Sequence, residues 1–584
     1  MTADRSAALD GAQPPAPTHS RVRVRIILLA VAALALVLAG LTLLDALAVA
    51  NDLRSGRVAF KTLTDQGLTG DGKLAVQAER GAAMFADADR RARGSVWLGG
   101  LGRIPFLGRP ARWLQAASGT AARLGEEAAA SVGRIEPRLK ASGEPTGRLE
   151  LISFVETELA RLGRLVGDIR LPSTGGFLPP VTAADRELRS DLARLRRALV
   201  AGTVTTKGLR TFLAGPSTYV VLAANNAEMR SGGMVLQVGV LKASGGRVQA
   251  GGFRSTGEVV LPDPVPLPPE LESLYGWLDP DTEWRNLGTS PNFPAIGPVY
   301  ASMAQKSGLS RVDGVLQIDV LGVRALLEVI GPIEVDGRRY DPSNVEKLMM
   351  HDLYVVYGDE QFERRHEFSR LAAEAFRVLT ERSSDLGKLA KAVSRAAAGR
   401  HLLAWSARPD EQRAWERLGM DGRLERDGFM ATVQNHGGNK LDWFVRSSVE
   451  LAVEHPEGRF RRVRAKIRIE NLTPPGEPPY VAGNGLIVPK NVYQAFVAVY
   501  LPGWATNVEL VGRKALVIGT DGPMRVIATR LDIRRAASEF VEVVFSVPPG
   551  MERIVLLPSA RPAPVPFRIG DRTVDDSAKR ALTV

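Results

Sequence analysis

From Ile26 to Leu44 the chain runs without a charge, and a run of that length spans the roughly 30 Å hydrocarbon layer of a bilayer as a single helix. Arg21, Arg23 and Arg25 stand immediately before it, and such a cluster stays on the cytoplasmic side, so the bulk of the chain is expected outside the cytoplasm. The pattern therefore predicts a transmembrane helix over 26–48, preceded by a disordered cytoplasmic tail over 1–25 that is rich in Ala and Pro and has no apolar period. The other reading is a cleaved leader, whose apolar part is usually shorter; Ala46, Ala48 and Ala50 imitate its small-residue cleavage site.

Over 51–213 the apolar residues recur at helical spacing, as in Leu151, Phe154, Val155, Leu159, Leu162, Val166 and Ile169. Thr182 with Asp185 reads as a capping box that opens a further helix carrying Leu188, Leu192, Leu195 and Leu199. Stripes of this kind are the general mark of helix-to-helix packing, and a helical region is expected. Over 215–445 short apolar runs suited to buried strands alternate with helices: Tyr219–Ala223, Met234–Leu241 and Gly314–Asp319 as strands, Val320–Ile330 as a helix stopped by Gly331 and Pro332, and another helix from about Glu360 to Leu379. This is the pattern of an α/β domain with a partly mixed sheet. Over 446–584 the period becomes two, most clearly in Arg462–Glu470, which predicts a C-terminal β-sandwich with a loose tail. The expected class is α+β and multidomain, with one membrane helix, a helical region, a central α/β domain and a β-sandwich.

Composition narrows the chemistry. The chain has no cysteine and six histidines, none in a close pair, which removes disulfides, thiolate metal sites and a plausible zinc site. A net charge of +12 suits an anionic partner such as a membrane surface, a phosphorylated lipid or an acidic glycan, and the expected topology removes nucleic acid. The Gly-x-Ser-x-Gly elbow, the phosphate loop and His-Glu-x-x-His are all missing.

Two polar clusters remain as candidate sites. Asn225-Asn226-Ala-Glu228-Met-Arg230-Ser-Gly-Gly233 lies between two predicted strands, where open α/β sheets collect ligands and glycines admit a close backbone approach. Arg230 can bind a phosphate through two parallel hydrogen bonds, or it can simply pair with Glu228 across a turn. Glu363-Arg364-Arg365-His366-Glu367 opens a helix; its arginines can reach a phosphate, or form a solvated face with pairs such as Arg370 to Glu374. A third group, Asn435-His-Gly-Gly-Asn-Lys440 with Asp442, reads as a turn.

Tyr219–Gly233, Ser290-Pro-Asn-Phe-Pro294, Val312–Asp319, Ile330-Gly-Pro332, Gly399–Ser406 and Gly438–Asp442 resemble, in order and spacing, the uncharacterised bacterial family known as domain of unknown function 4012. The central region also resembles the LytR-CpsA-Psr family, extracytoplasmic ligases that move glycopolymers from a polyprenyl-pyrophosphate carrier onto peptidoglycan. Arg230-Ser-Gly-Gly233 stands where that family has Arg-Ser-Asp-Thr, Arg254-Ser255 where it has Arg-Asp, and Arg364 where its Arg-Gln-Gln helix begins. The resemblance implies pyrophosphate binding by Arg230, Arg254 and Arg364, with Glu228 orienting Arg230 or a metal; Arg365 and Asn226 are further ligand candidates from the two polar clusters themselves. A magnesium ion and glycopolymer transfer belong to that picture, although the aspartates that would hold the metal are replaced. The expected function is binding of a polyprenyl-phosphate-linked or other anionic glycan in cell-envelope assembly. The alternative is a non-catalytic envelope scaffold.

Overall fold

The computed structural model describes residues 48–49, 51–55, 73–102, 108–141, 145–173, 179–309, 311–381, 385–454, 460–486 and 488–584. The tail at 1–25 and the membrane helix expected at 26–48 lie, residue 48 apart, outside the described residues. Among the described residues no helix is long and apolar enough to cross a membrane. The long N-terminal helices carry charges along their length, as Lys73–Gly94 and Gly108–Ala141 illustrate. The class is corrected accordingly: an α+β multidomain fold whose described part contains no transmembrane helix.

The chain divides into two compact units, the first built on Ala75–Val132 and Arg164–Leu195, the second on Gly133–Gly163 and Arg196–Val584. The N-terminal helices are α1 (Lys73–Gly94), α2 (Val96–Gly102), α3 (Gly108–Ala141), α4 (Pro145–Gly167) and α5 (Pro179–Ala214). In the first unit Gly125 of α3 sits against Ala82 and Phe85 of α1, where a Cβ would come within 2.8 Å of the ring, and the buried Trp113 donates its indole N–H to Asp185 at 2.7 Å. Asp185 therefore works as a mid-helix acceptor. Helix α5 opens earlier than the Thr182 capping box predicts, at Pro179, as proline at a first helical turn allows.

The second unit contains the mixed central sheet, in the order β3-β2-β1-β5-β8 with β4 also on β2. Its strands are β1 (Ser217–Asn225), β2 (Met234–Ser244), β3 (Arg247–Ala250), β4 (Arg254–Ser255), β5 (Gly314–Ile318) and, after the β6 (Ile333–Val335) and β7 (Arg338–Tyr340) hairpin, β8 (Leu402–Ser406). Strand β1 reads as one apolar run because both faces are covered: Tyr219 and Val221 enter one core, Val220 and Leu222 the other. Its parallel neighbour β5 places Gly314 opposite Tyr219, and a Cβ there would lie 2.4 Å from the tyrosine ring. The glycine thus admits the ring, whose hydroxyl donates to the buried Glu411 at 2.6 Å.

Helices α6 (Pro269–Tyr275), α7 (Trp284–Leu287) and α8 (Phe293–Lys306) contribute to the second core, and α9 (Val320–Ile330) to the first. Asp319 caps α9 by accepting from the Gly322 N–H at 2.9 Å. Then follow α10 (Val345–Lys347), one π-helical turn (Leu348–Asp352), α11 (Leu353–Tyr357), α12 (Gln361–Glu381), α13 (Leu386–Ala398) and α14 (Pro409–Arg417).

The remaining strands form two six-stranded sheets. One runs β13-β16-β11-β10-β18-β19 and the other β14-β15-β12-β9-β17-β20. Their ranges are β9 (Gly428–Asn435), β10 (Val445–Glu454), β11 (Arg461–Asn471), β12 (Val492–Leu501), β13 (Thr506–Leu510), β14 (Val517–Asp521), β15 (Met524–Arg534), β16 (Ser538–Val547), β17 (Arg553–Leu556), β18 (Pro566–Ile569), β19 (Arg572–Asp575) and β20 (Arg580–Thr583). The sheets face each other: Phe429 of β9 meets Phe545 of β16 and Phe567 of β18 at ring distances of 6.5 and 6.1 Å. Strand β11 keeps Val463, Ala465, Ile467 and Ile469 inside and turns Lys466 and Arg468 outward. In β12 Phe496, Ala498 and Tyr500 back onto the second core with Leu271 and Tyr275 of α6. The sandwich and the central sheet therefore share buried surface, and β9 belongs to the sandwich although it lies within 215–445. Helix α15 (Pro479–Ala482) sits between β11 and β12.

Candidate functional site

Every candidate residue but Arg254, Arg364 and Arg365 comes from the loop joining β1 to β2, and that loop is tied down from within. Asn226 is fully buried; its amide donates to Asp319 at 3.0 Å and to the Ala560 carbonyl at 3.3 Å, and its oxygen accepts from the Val320 N–H at 3.2 Å. Asp319 also meets His401 Nδ1 at 2.7 Å. Burial pulls the His401 imidazole down, but the Asp319 carboxylate outweighs it and holds the group above its ordinary value. Asn226, Asp319 and His401 thus form a helix-capping network.

Arg230 is likewise an internal strut. Its guanidinium donates to the carbonyls of Asn435 at 2.6 Å and Met229 at 3.2 Å and to Asn286 Oδ1 at 3.0 Å, while its Nε, also buried, has no partner. It enters no ion pair among the described residues, and burial lowers its pKa below the ordinary guanidinium value. The positive field reaches His436, whose imidazole burial and then the Arg230 and Arg530 charges push down to about 3.

Glu228 does not pair with Arg230. Its carboxylate meets Lys440 Nζ at 3.1 Å, which brings in the 435–440 turn. Lys440 in turn lies 5.0 Å from the ring of Tyr480 on α15. Arg364, buried on α12, lies 4.5 Å from that ring and 4.7 Å from Tyr354 of α11. It donates to the Tyr480 hydroxyl at 2.6 Å and the Gly358 carbonyl at 3.1 Å. Two cations therefore share one aromatic pair, and one of them, Lys440, also meets the acid Glu228, so the cluster carries a net positive charge. Cations over ring faces at these distances gain about 0.5–2 kcal/mol each. Burial raises the Tyr354 phenol well above its ordinary value, so it stays a neutral donor and acceptor and accepts from Asn225, the last residue of β1, at 3.2 Å.

Behind Tyr354 lies an apolar cleft between the central sheet and helices α9 and α12. Asn225, Met349 and Phe368 line the end next to Tyr354, with Val323, Leu326 and Phe376 among the other walls. Its cavity volume is about 30 Å³, room for a water but not for a chain, so a larger guest enters only if α12 moves off the sheet. Gln237 is the second polar group in the wall; it accepts from Ser369 at 2.7 Å and donates to the Arg365 carbonyl at 3.2 Å.

The other two arginines stand apart from this cluster. Arg254 is exposed and donates to the Glu258 carbonyl at 3.3 Å. It pairs opposite Val238, which enters the second core, whereas Gln237, one residue earlier, lines the cleft. Arg365 is half-buried, donates to Gln361 at 3.0 Å and lies against the turn at Gly257. The pair expected between Arg370 and Glu374 is replaced by Arg370 with Asp336 and Arg377 with Glu374.

The fold thus joins Glu228 to Arg364 through Lys440 and two tyrosines, walls in Arg230 and Asn226, and leaves Arg254 and Arg365 beside another turn. Lys440 carried a sequence signal only as part of a turn, and Tyr354 and Tyr480 carried none. Among the described residues no group of three or more His, Asp or Glu is arranged to hold a metal ion. Glu228 is taken by Lys440, Asp319 by the helix cap and Asp352 by Lys347 and His351. These residues do not fit a magnesium site.

Residues 214–354 match the family model described as "Protein of unknown function (DUF4012)". No curated protein and no solved structure matches the chain.

Proposed function

We propose that this chain binds a phosphorylated amphiphile, the polyprenyl-phosphate end of a lipid-linked envelope glycan, with the anionic head on Arg364 and Lys440 and the apolar chain in the cleft behind Tyr354, which widens to admit it as α12 moves off the sheet. The observation that carries this reading is the placement of two buried cations, one of them paired with Glu228, over the ring of Tyr354, whose hydroxyl bonds Asn225 in the wall of an apolar cleft. A phosphate there gains charge-assisted hydrogen bonds from donors already desolvated and held by aromatic rings. The likeness of Arg230-Ser-Gly-Gly233 and Arg364 to the LytR-CpsA-Psr ligases supplies the lipid carrier as the natural guest. Arg230 then braces the loop beneath the site, its donors spent on protein oxygens. Binding is the role that these residues support, with no reaction attached.

A second reading, an envelope scaffold without a ligand, draws on the same spent donors of Arg230. Thermal unfolding separates the two. A ligand that binds only the native state stabilises it by about 2.7 kcal/mol at a hundred times its Kd. Polyprenyl phosphate is expected to raise the melting temperature clearly, the uncharged polyprenol to raise it less, and inorganic phosphate to raise it little. The absence of any shift with the phosphorylated lipid selects the scaffold.

A further inference from the structure

Trp277 stands on the single turn Gly276–Leu278 that follows α6 and is 48 % exposed, whereas the nearby rings Tyr275, Trp284 and Tyr300 are buried. Its placement is fixed from beneath. The indole N–H donates to the Leu274 carbonyl at 3.2 Å. The ring packs at 5.9 Å against Phe496 of β12 and at 5.9 Å against His436, which are themselves stacked 5.0 Å apart. A large ring held rigid in the open offers a guest apolar contact area at little cost in ordering.

The groups that border this ring are polar. Arg530 of β15 pairs opposite Phe496, is exposed, and brings its guanidinium carbon to 5.9 Å from the centre of the Trp277 ring. It enters no ion pair or hydrogen bond among the described residues, which leaves its N–H donors open. Two residues along the same face Gln494 and Asp532 stand opposite each other, and the Gln494 amide donates to the exposed carboxylate at 3.1 Å. Burial, then the charges of Arg230 and Arg530, push the His436 imidazole down to about 3, and no carboxylate offsets them there. The support under Trp277 is therefore neutral, and the potential around it is positive. A pyranose ring matches this arrangement, since one face presents C–H groups that pack on an indole and its rim carries hydroxyls that need donors and acceptors. A protein interface centred on tryptophan surrounds it with further apolar contacts, whereas beside Trp277 the strand pair places a cation, an amide and a carboxylate. The unpaired cation favours a sugar that brings a carboxylate of its own.

We propose that Trp277, Arg530 and the Gln494–Asp532 pair form a subsite for an acidic pyranose, a hexuronate residue of an anionic glycan. The C–H face of the sugar lies on the indole, its carboxylate on the Arg530 guanidinium, and its hydroxyls reach Gln494 and Asp532. The subsite stands independently of lipid binding at Arg364 and Lys440. One turn serves both places: residues 435–440 carry His436 beneath Trp277 and Lys440 to the ring of Tyr480.

Titration calorimetry of the full chain with an oligogalacturonate and with its methyl ester, which has the same rings without the charge, tests the subsite. The acid is expected to bind saturably and the ester about two- to fivefold more weakly, the worth of an ion pair at an exposed position. Trp277→Ala should lower the affinity for both by at least about tenfold, as truncation of a central aromatic anchor does, and Trp277→Phe, which keeps a ring, should lower it less. Arg530→Gln should bring the acid down to the level of the ester and leave the ester unchanged. Trp277 and Arg530 are exposed, so these chains should keep the native melting temperature. Arg364→Met should bind both saccharides as the native chain does, which separates a failure here from a failure of lipid binding. Absence of saturable binding, as when an apolar protein segment is the true occupant of Trp277, overturns the subsite. So does equal affinity of the native chain for acid and ester, or a loss in Trp277→Ala of less than about twofold.

Discussion

Replacing Arg561 with alanine is expected to destabilise the second unit by about 3–5 kcal/mol, the cost of leaving one member of a buried ion pair alone. Arg561 and Asp442 are both almost fully buried, 3.3 Å apart. Asp442 is also the point where three segments meet, accepting from the Tyr493 hydroxyl at 2.7 Å, Asn435 at 2.9 Å and the Met229 N–H at 3.1 Å. Arg561 adds a bond to the Val433 carbonyl at 2.8 Å. Burial raises the Asp442 pKa, and Arg561 is the first group working against it. A carboxyl whose folded-state pKa is raised is tolerated best while protonated, and its contribution is lost as pH rises through that value. The Arg561→Ala chain should therefore recover part of its urea midpoint on acidification, and adding Asp442→Asn should recover part of it at neutral pH. A single-variant loss within about 0.5 kcal/mol, the range of ordinary surface changes, would refute this account of the junction.

The second large effect concerns binding. Arg364→Met keeps the apolar stem between the tyrosines and removes the charge, so affinity for polyprenyl phosphate is expected to fall by roughly 10- to 150-fold, the worth of one hydrogen bond to a charged group. Arg254→Ala should change it little, because Arg254 is exposed and its β4 position faces away from the cleft. Titration calorimetry with both variants decides the matter, and a larger loss in Arg254→Ala than in Arg364→Met would contradict it.

The course of the fold was legible where periodicity is local. Tyr219–Ala223, Val320–Ile330 and Arg462–Glu470 fall inside β1, on α9 and inside β11, because burial on two faces, one stripe or one face leaves distinct patterns. The limits of the sandwich were less legible, since β9 joins it from across a turn and its eight residues are buried on both sides. The membrane helix predicted from Ile26–Leu44 has no counterpart among the described helices. At the site, local spacing identified Glu228, Arg230 and Arg364 as chemically capable, but it could not weigh competing partners. Whether Arg230 meets a phosphate or the carbonyl of Asn435, 205 positions away, is decided by tertiary structure. Tyr354 and Tyr480 lie 126 positions apart by number and became neighbours only through the stacking of α11 and α15.

The most direct test of the central claim is a pair of binding isotherms for polyprenyl phosphate, one with the native chain and one with Leu371→Trp. Leu371 lines the cleft and is almost fully buried, and a larger side chain there takes up the space that a lipid chain would need once α12 moves off the sheet, while the charges of Arg364 and Lys440 are kept. The account predicts saturable binding to the native chain and a loss of at least about tenfold in the variant, since filling the slot removes the apolar contact of several methylene groups at about 0.8 kcal/mol each. Equal affinity in the two, with both chains folded, would place the lipid elsewhere and contradict the account.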